Sequence, residues 1–424
     1  MKLTNIFFSL LMFTVMTPVA IYAQQDIQLP GNLEGAVLDA VEGFGLDSTA
    51  GQGGRIIRVT NLNADGPGSL AEALKAGGPR IVIFELGGII DLRKTTLTIE
   101  TPFLTLAGQT APSPGITIIR GGIKVSTHDV LIQHISVRPG DAGMPKENRW
   151  VSDAIATNGR NAYNIVIDHC SLSWATDENL SVSGPRLEGP DHTSHNVTFS
   201  NCIIAEGLTP HSKGSLIHDC CRNVAIIGNL YANNAQRNPY FKAHTTGVIV
   251  NNLIYNPGIK AIKVSLKHGQ WKGASFKPER AKIAAVSNVM IKGNDTPEPM
   301  AIISGRGDVY MQDNVALDKN GNPAPIRTGD INVLSQKPVW PTGLKPLPAK
   351  KVIDYVIKNA GARPKDRNNV DKRIINDFLQ RTGRIINSQQ QVGGYPKTAT
   401  TYRKLSPPES NVNQWLKNMT RQVQ

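Results

Sequence analysis

A right-handed parallel β-helix, which is an all-β solenoid, is the fold that the sequence predicts. Short alternating segments, each ending in a polar residue, recur along the middle of the chain at intervals of 23 to 36 residues. Strands of period two that end in Asn or Gly turns at such a spacing are typical of stacked supersecondary units. The segments are VLIQH (130–134), IVIDH (165–169), VTFSN (197–201), AIIGN (225–229), VIVNN (248–252), AAVSN (284–288) and VYMQD (309–313).

This stacking predicts that Ile167, Phe199, Ile226 and Val250 lie in neighbouring parallel strands. A helical solenoid would need a period of 3.6, which these segments do not have. A β-propeller would need evenly spaced aromatic signatures, and aromatic residues are 6% of the chain. The unequal spacing of the segments predicts loops of different length on one face, where such folds commonly bind ligands.

The ends of the stack have their own patterns. A short helix, SLAEALKA, is expected between the opening strands, and residues 32–43 are expected to form a helix that caps the stack. The tail, 326–424, is rich in Pro, Lys and Asn and is predicted to be irregular and partly helical. Helices are expected there at AKKVIDYVIKNAG and VDKRIINDFLQRTG alone, while QVGGYPKTATTYRKLSPPES is expected to be extended.

The N-terminus predicts export. Residues 1–23 combine one lysine, an apolar run and small or apolar residues before Gln24, which is a secretory signal pattern and too short for a membrane span. We therefore divide the chain into a signal peptide (1–23), a parallel β-helix domain (24–325) and a C-terminal tail packed on it (326–424). The protein is expected to be secreted or periplasmic, with no membrane span.

The charge favours an acidic partner. The formal net charge is +13, and the signal segment contributes only Lys2. In an exported protein this excess suits a polyanionic polysaccharide, an anionic surface or nucleic acid. Nucleic acid is not expected, because the chain has no zinc-finger spacing and no RNA-binding aromatic motif. Cys170 and Cys202 occupy matching places in neighbouring repeats, so they are either a bridged pair or small buried apolar residues.

Two stretches carry the residues suited to chemistry. Residues 165–182, IVIDHCSLSWATDENLSV, place Asp168, Asp177 and Glu178 beside a strand-like run. The stretch AQRNPYFK then supplies Arg237 and Lys242 around a proline. Carboxylates that hold a hard cation, followed by a free arginine and lysine, suit a reaction on a negatively charged polymer.

Several spaced motifs resemble polysaccharide lyase family 1, the pectate lyases. They are GGRIIRVTNLNADGPGSL, then SDAIAT and IVIDHCSLSWATDE, then NNAQRNPYFK, and they follow in the family's order over roughly residues 40–320. The resemblance implies a right-handed parallel β-helix that cleaves polygalacturonate by calcium-assisted β-elimination, with an acidic polysaccharide as partner. A monomer is expected.

The resemblance also implies a calcium site. Asp153 in SDAIAT and Asp177 in WATDE match calcium-ligand positions, and Glu178 is expected to assist or substitute. The family's further aspartate, four residues after Asp177, is Ser181 here. This departure either weakens the metal site or shifts it toward Glu178. Without the surrounding motifs, Asp177 and Glu178 would indicate a solvated loop. That is the alternative to a metal site.

The catalytic and substrate-binding residues follow from the same resemblance. Arg237 matches the arginine that acts as Brønsted base, and Lys213 in HSKGSL matches a lysine that contacts the substrate carboxylate. Lys242 matches a second substrate-binding cation that is normally arginine, so bidentate recognition is lost at that position. Asp168 is interpreted as supporting the turn beneath the metal loop. For each cation the alternative is an ordinary surface charge.

Three other functions have sequence signatures of their own. A pectin lyase, which acts on methyl-esterified polymer without calcium, would lack Asp153, Asp177 and Glu178. A β-helical polygalacturonase needs paired carboxylates as acid and base, and its NTD, DD and GHG motifs are absent from the sequence. A non-catalytic carbohydrate-binding β-helix gives no reason for carboxylates and cations to converge on one face.

Overall fold

The computed structural model describes residues 42–145, 148 and 150–424. In this part of the chain the α-helices are α1 (Leu70–Lys75), α2 (Val352–Asn359), α3 (Asn369–Gln380) and α4 (Val412–Val423). The strands are β1 (Arg55–Val59), β2 (Arg80–Phe84), β3 (Leu86–Ile99), β4 (Leu104–Ala107), β5 (Ile116–Val125), β6 (Val130–Gln133), β7 (Ile135–Arg138), β8 (Ile155–Asn158), β9 (Tyr163–Asp168), β10 (Ser171–Ser173), β11 (Glu178–Ser183), β12 (His195–Ser200), β13 (Ile203–Ala205), β14 (Lys213–Ile217), β15 (Arg222–Ile227), β16 (Leu230–Ala232), β17 (Tyr240–Phe241), β18 (Thr246–Val250), β19 (Leu253–Tyr255), β20 (Ile262–Val264), β21 (Lys282–Val286), β22 (Val289–Ile291), β23 (Ile303–Gln312), β24 (Val315–Leu317), β25 (Arg327–Val333) and β26 (Thr401–Tyr402).

The strands form three parallel sheets that coil as a right-handed β-helix, as predicted. Sheet A stacks β1, β2, β4, β6, β9, β12, β15, β18, β21 and the end of β23. Sheet B stacks the start of β3, the start of β5, then β7, β10, β13, β16, β19, β22 and β24. Sheet C stacks the end of β3, the end of β5, then β8, β11, β14, β17, β20, the start of β23 and β25.

Apolar side chains of sheet A stack inside the coil. Ile167 pairs with Phe199, and Phe199 pairs with Ile226, as predicted. The next member of this column is Ile249, because Ile226 pairs with it, whereas Val250 pairs with Ile227. Val250 nevertheless lies on β18, which pairs in parallel with β15, so the prediction that all four residues lie in neighbouring parallel strands is confirmed. A shift of one residue reverses the side-chain direction, and Val250 packs in a separate outer cluster.

An asparagine ladder follows sheet A at the turn into sheet B. Each amide nitrogen donates to the amide oxygen of the next turn at 3.0 Å, from Asn229 to Asn252, then to Asn288 and Asn314. The cysteines extend this column. The Cys202 N–H donates to Asn229 Oδ1 at 2.8 Å, and the Cys170 N–H donates to Cys202 Sγ at 3.4 Å. Both cysteines are buried free thiols, which agrees with the second of their two interpretations.

Three helices, α2, α3 and α4, cover the outer faces of sheets A and B, whereas α1 packs on the interior core. The predicted helix between the opening strands is α1, whose first turn is capped by Ser69 Oγ accepting the Glu72 N–H at 3.2 Å. Apolar residues of α2 and α3 pack on sheet B, and both helices were predicted. By contrast, α4 was missed. It packs Leu416 on sheet A together with the half-buried Trp415 and Met419, which is an amphipathic spacing of three and four residues.

The signal segment 1–23 and most of the expected capping helix at 32–43 lie outside the described residues. The division into domains at residue 325 stays a prediction, and β25 begins just beyond that boundary. Among the described residues, no helix is both long and apolar enough to span a bilayer.

Candidate active site

The candidate site lies where consecutive strands of sheet C begin. Asp153 precedes β8, Glu178 is the first residue of β11, and Lys213 is the first residue of β14. Glu178 pairs in register with Lys213, and Lys213 in turn forms a bridge with Gln236, the neighbour of Arg237. Residues that are far apart in sequence therefore meet because each one starts a successive parallel strand.

The three predicted metal ligands form one cluster. Asp153, Asp177 and Glu178 each offer a carboxylate oxygen, and these oxygens all lie within 4.8 Å of one another. Asp153 Oδ1 accepts the Glu178 N–H at 3.0 Å, and its Oδ2 accepts the Ser181 hydroxyl at 2.5 Å. Burial raises the pKa of Asp153 to about 7. This carboxyl therefore takes up a proton near neutral pH unless a cation neutralises it.

Two of the predicted cations contact the acid cluster. Lys213 Nζ lies 2.5 Å from Asp177 Oδ1 and 3.4 Å from Glu178 Oε1. Arg237 Nη1 is paired with the same Glu178 oxygen. Glu178 is almost fully buried, whereas the Asp177 side chain keeps 29% of its surface exposed. The cluster is thus closed on the Glu178 side and open to a ligand on the Asp177 side.

Arg237 is largely buried, between the acid cluster and an aromatic ring. Its backbone is left-handed, with φ of 64°, and this conformation sets the direction in which the side chain leaves the chain. Its Cζ lies 5.6 Å from the centre of the Tyr240 ring. Burial lowers the pKa of the Arg237 guanidinium, and the opposing charges of Asp177 and Asp153 do not reverse that direction.

Lys242 lies in a second, adjacent cluster. Its Nζ is paired with the buried carboxylate of Asp219, whose Oδ1 accepts the Ala243 N–H at 3.1 Å. His218 Nδ1 and Arg186 Nη1 approach the same carboxylate at 3.5 and 3.6 Å. Among the ion pairs of the described residues, Lys242 contacts Asp219 and none of the three predicted metal ligands. Burial lowers its pKa in spite of Asp219.

Asp168 lies away from this cluster, at the end of β9 in sheet A. Its carboxylate accepts hydrogen bonds from Gln133, Ser200 and Asn201 and pairs with His169 Nδ1 at 2.8 Å. Burial alone would raise the pKa of Asp168, but the charge and hydrogen bond of His169, the charge of His134 and the Ser200 hydroxyl outweigh burial, so the net direction is downward. These contacts agree with a structural role.

The sequence interpretation missed Asp219 and Lys263. Asp219 follows β14 and neutralises Lys242. Lys263 lies on β20 in register with Tyr240. One signal could have identified Lys263, because in the segment IKV the lysine alternates with two apolar residues and so points outward.

Sequence comparison finds close relatives. The chain is 31% identical over 367 residues to a probable pectate lyase C of Aspergillus flavus, covering 83% of this chain and 80% of the relative. A protein of the same name from Neosartorya fischeri is 31% identical over 366 residues, with the same coverage of both chains. No family model matches the chain.

Comparison with solved structures finds the same fold. Jun a 1, the major allergen of cedar pollen, superposes with a TM-score of 0.58 at 18% identity, over 76% of this chain and 93% of that one. A mutant Bacillus subtilis pectate lyase gives a TM-score of 0.56 at 14% identity, over 81% and 100%. A pectate lyase bound to a hexasaccharide gives 0.55 at 15% identity, over 80% and 99%.

A parallel β-helix with these relatives is a polysaccharide lyase. Within that class, the chain belongs to the pectate lyases of polysaccharide lyase family 1. This conclusion rests on the sequence identity to the fungal relatives. The solved structures are more distant in sequence and establish the fold alone.

Proposed function

We propose that the protein is a secreted, calcium-dependent pectate lyase that cleaves α-1,4-polygalacturonate to 4,5-unsaturated oligogalacturonates. One observation supports this most strongly. Three carboxylates and two cations meet at the start of neighbouring strands, with Lys213 Nζ 2.5 Å from Asp177 and Arg237 paired with Glu178. A surface of this kind can hold a hard cation and a uronate carboxylate side by side.

The reaction assigns a distinct role to Arg237. Elimination removes the C5 proton of a uronate, forms the C4–C5 double bond and breaks the bond from C4 to the glycosidic oxygen. The expelled oxygen then takes a proton and becomes a new sugar hydroxyl. We assign proton removal to Arg237, because burial lowers the pKa of its guanidinium. A base works best when its pKa approaches the operating pH.

Lys213 and Lys242 are assigned to the substrate carboxylates. Lys213 is 8% exposed and already contacts two carboxylates, so it is placed to stabilise a third negative group. Lys242 is equally buried and is oriented by Asp219. Removal of the C5 proton adds charge next to the uronate carboxylate, and preorganised cations stabilise that charge at little reorganisation cost.

The donor set fits calcium. Asp153, Asp177 and Glu178 supply hard oxygen ligands on one surface, and Ca²⁺ prefers six to eight such ligands in a flexible geometry. When bound, the ion would neutralise the uronate carboxylate and stabilise the charge that develops beside it. Asp153 would lose its proton on binding, because its pKa is raised to about 7. Ser181, which replaces the family's aspartate, keeps Asp153 oriented through its hydroxyl.

Export and a monomeric state complete the proposal. Export rests on the signal pattern of residues 1–23, and an acidic substrate outside the cell suits the net charge of +13.

A single assay tests the function. The mature protein is mixed with polygalacturonate in calcium or in excess chelator, and ultraviolet absorbance of the unsaturated uronate is followed. We expect the absorbance to rise in the sample that contains calcium and not in the sample that contains chelator. Activity that is unchanged in chelator would refute the calcium assignment. Activity only on methyl-esterified pectin would identify a pectin lyase, and binding without product would identify a non-catalytic β-helix.

A further inference from the structure

A cavity of about 650 Å³ lies between α3 and the C-terminal tail, and we call it the tail cavity. It is formed by the turn before β5, by α3 with the residues that precede it, and by the segment 392–398. The described residues that line it include none from sheet C, where the candidate active site lies. Ligand pockets commonly have volumes of about 300–1,000 Å³, so the tail cavity has room for sugar rings.

The tail cavity is positively charged. Arg367, Lys372 and Lys397 line it, and the ion pairs of residues 42–145, 148 and 150–424 include none of these three cations. Arg367 donates to three backbone carbonyls at the end of α2, and its buried Nε has no hydrogen-bond partner. Asp366 also lines the cavity, but it is paired with Arg363 at 2.9 Å. An anion in the cavity would therefore meet cations that no carboxylate of the protein neutralises.

Apolar residues complete the lining of the tail cavity. They are Pro114, Val370, Val392, Tyr395 and Pro396. A mostly apolar lining with a few charged groups is typical of small-ligand sites. A sugar acid suits such a lining, because the C–H face of its ring can pack on the apolar residues while its carboxylate meets the cations.

The elements that form the tail cavity are held in place by buried contacts. Asp371 in α3 is paired with the fully buried Arg138 at 2.6 Å, which fixes the helix on sheet B. In the tail segment, the Tyr395 hydroxyl donates to the Pro139 carbonyl at 2.6 Å. A site whose lining is already fixed costs little to order when a ligand binds.

We propose that the tail cavity is a second, non-catalytic site, which binds uronate residues of an acidic polysaccharide through Arg367, Lys372 and Lys397. The choice of a uronate as the anion rests on the proposed function. A polymer held in both the tail cavity and the active site is retained more strongly than one held in the active site alone, because the second contact is intramolecular. A trisaccharide that fills the active site has no ring left for the tail cavity.

Steady-state kinetics on a long and a short substrate test this inference. The variant is Lys372→Gln with Lys397→Gln, and its matched control is Lys319→Gln with Lys345→Gln, since all four lysines are exposed. Weak pairs between accessible charges each change an equilibrium by about 1.5- to 5-fold, so the variant should raise the KM for polygalacturonate by about 5-fold. Its kcat and its KM for trigalacturonate should equal those of the control.

A binding measurement separates this inference from the proposed function. In affinity electrophoresis through a gel that contains polygalacturonate and chelator, the variant should be retarded less than the control. A gel of methyl-esterified pectin should not distinguish the two proteins. Inorganic phosphate added at constant ionic strength should leave their difference unchanged, and a difference that phosphate abolished would identify a phosphate site and overturn the inference.

The outcomes for the two sites are distinguishable. An inactive wild type that still shows the difference in retardation would remove the lyase function and support the second site. An active enzyme with equal KM and equal retardation for variant and control, and with matching thermal unfolding, would overturn the second site and leave the lyase function standing.

Discussion

Replacement of Arg237 should abolish catalysis while leaving the coil folded. Its guanidinium is paired with Glu178, and its side chain keeps 20% of its surface exposed, so it can meet both the acid cluster and a ligand. Loss of a general base costs about 10²–10⁴-fold in rate. We expect the kcat of Arg237→Ala to fall by that amount. The fall should reach the upper part of the range, because the same cation also stabilises the developing charge.

Lysine should not rescue the reaction. Arg237→Lys keeps a positive charge, but an ammonium group is a compact point charge and cannot place a nitrogen where the planar guanidinium does. We therefore expect Arg237→Lys to lose about as much kcat as Arg237→Ala.

The fold should survive because Glu178 keeps a partner. Lys213 Nζ remains 3.4 Å from Glu178 Oε1 when Arg237 is removed. The destabilisation should therefore stay below the roughly 3–5 kcal/mol that follows when a buried charge loses its only counter-ion. Circular dichroism and thermal unfolding measure this effect.

Steady-state kinetics on polygalacturonate decide the assignment. Arg55→Ala is a matched control, because that arginine is exposed and lies on β1, the opening strand of sheet A. If Arg237→Ala kept a near-normal kcat while Lys213→Ala abolished it, the base would not be Arg237. Lys213 would then become the leading candidate.

Three further predictions concern the metal, the substrate and pH. Asp177→Asn should raise the calcium concentration needed for half-maximal activity with circular dichroism unchanged, and an unaltered calcium requirement would remove Asp177 from the site. Lys242→Ala should raise KM more than it lowers kcat, and the opposite split in steady-state kinetics would contradict a binding role. Burial lowers the pKa of His134 to about 3, whereas in the unfolded chain it is about 6.5. Between these two pH values the unfolded chain therefore binds a proton that the folded chain does not bind. Stability should therefore fall as pH drops, by about 2 kcal/mol at pH 5. His134→Asn should flatten that slope in urea unfolding at pH 7 and pH 5, and an equal slope would refute this account.

The repeat pattern was sufficient to predict the coil. The polar ends of the segments predicted the positions where Asn229, Asn252 and Asn288 now form a ladder, because each turn places the same side chain over the last. Register was harder to predict. Ile249 and Val250 show why: both are apolar and buried, so hydrophobicity alone does not tell which of them faces the interior and which packs in an outer cluster.

The tail shows a different limit of sequence interpretation. Its last helix, α4, carries a modest apolar stripe among polar residues, and the proline-rich stretch before it suggested an extended segment. The apolar stripe of α4 packs on the outer face of sheet A, where Leu416 joins Ile83, Leu131 and Val166. The sequence of the helix alone does not show that this surface is available. Amphipathic helices owe most of their stability to such packing.

The motifs predicted which residues meet but not how they are paired. The cluster of Asp153, Asp177 and Glu178 with Lys213 and Arg237 was expected. The pairing of Lys242 with Asp219 was not expected. It joins residues on two different turns, and spacing along one strand does not show which acid neutralises which cation.

Charge is ordered along sheet C, with acids at the earlier strands and cations at the later ones. Acids occupy the starts of β8 and β11, and cations follow at β14, before β17 and on β20. Glu178 stands at the boundary, since it contacts Lys213 and Arg237 from the last acidic strand. A divalent cation that drew Glu178 toward the acids would leave both cations without that counter-ion, and they would be free to meet a uronate carboxylate. Metal affinity and substrate affinity should therefore rise together, because each ligand removes a competitor of the other.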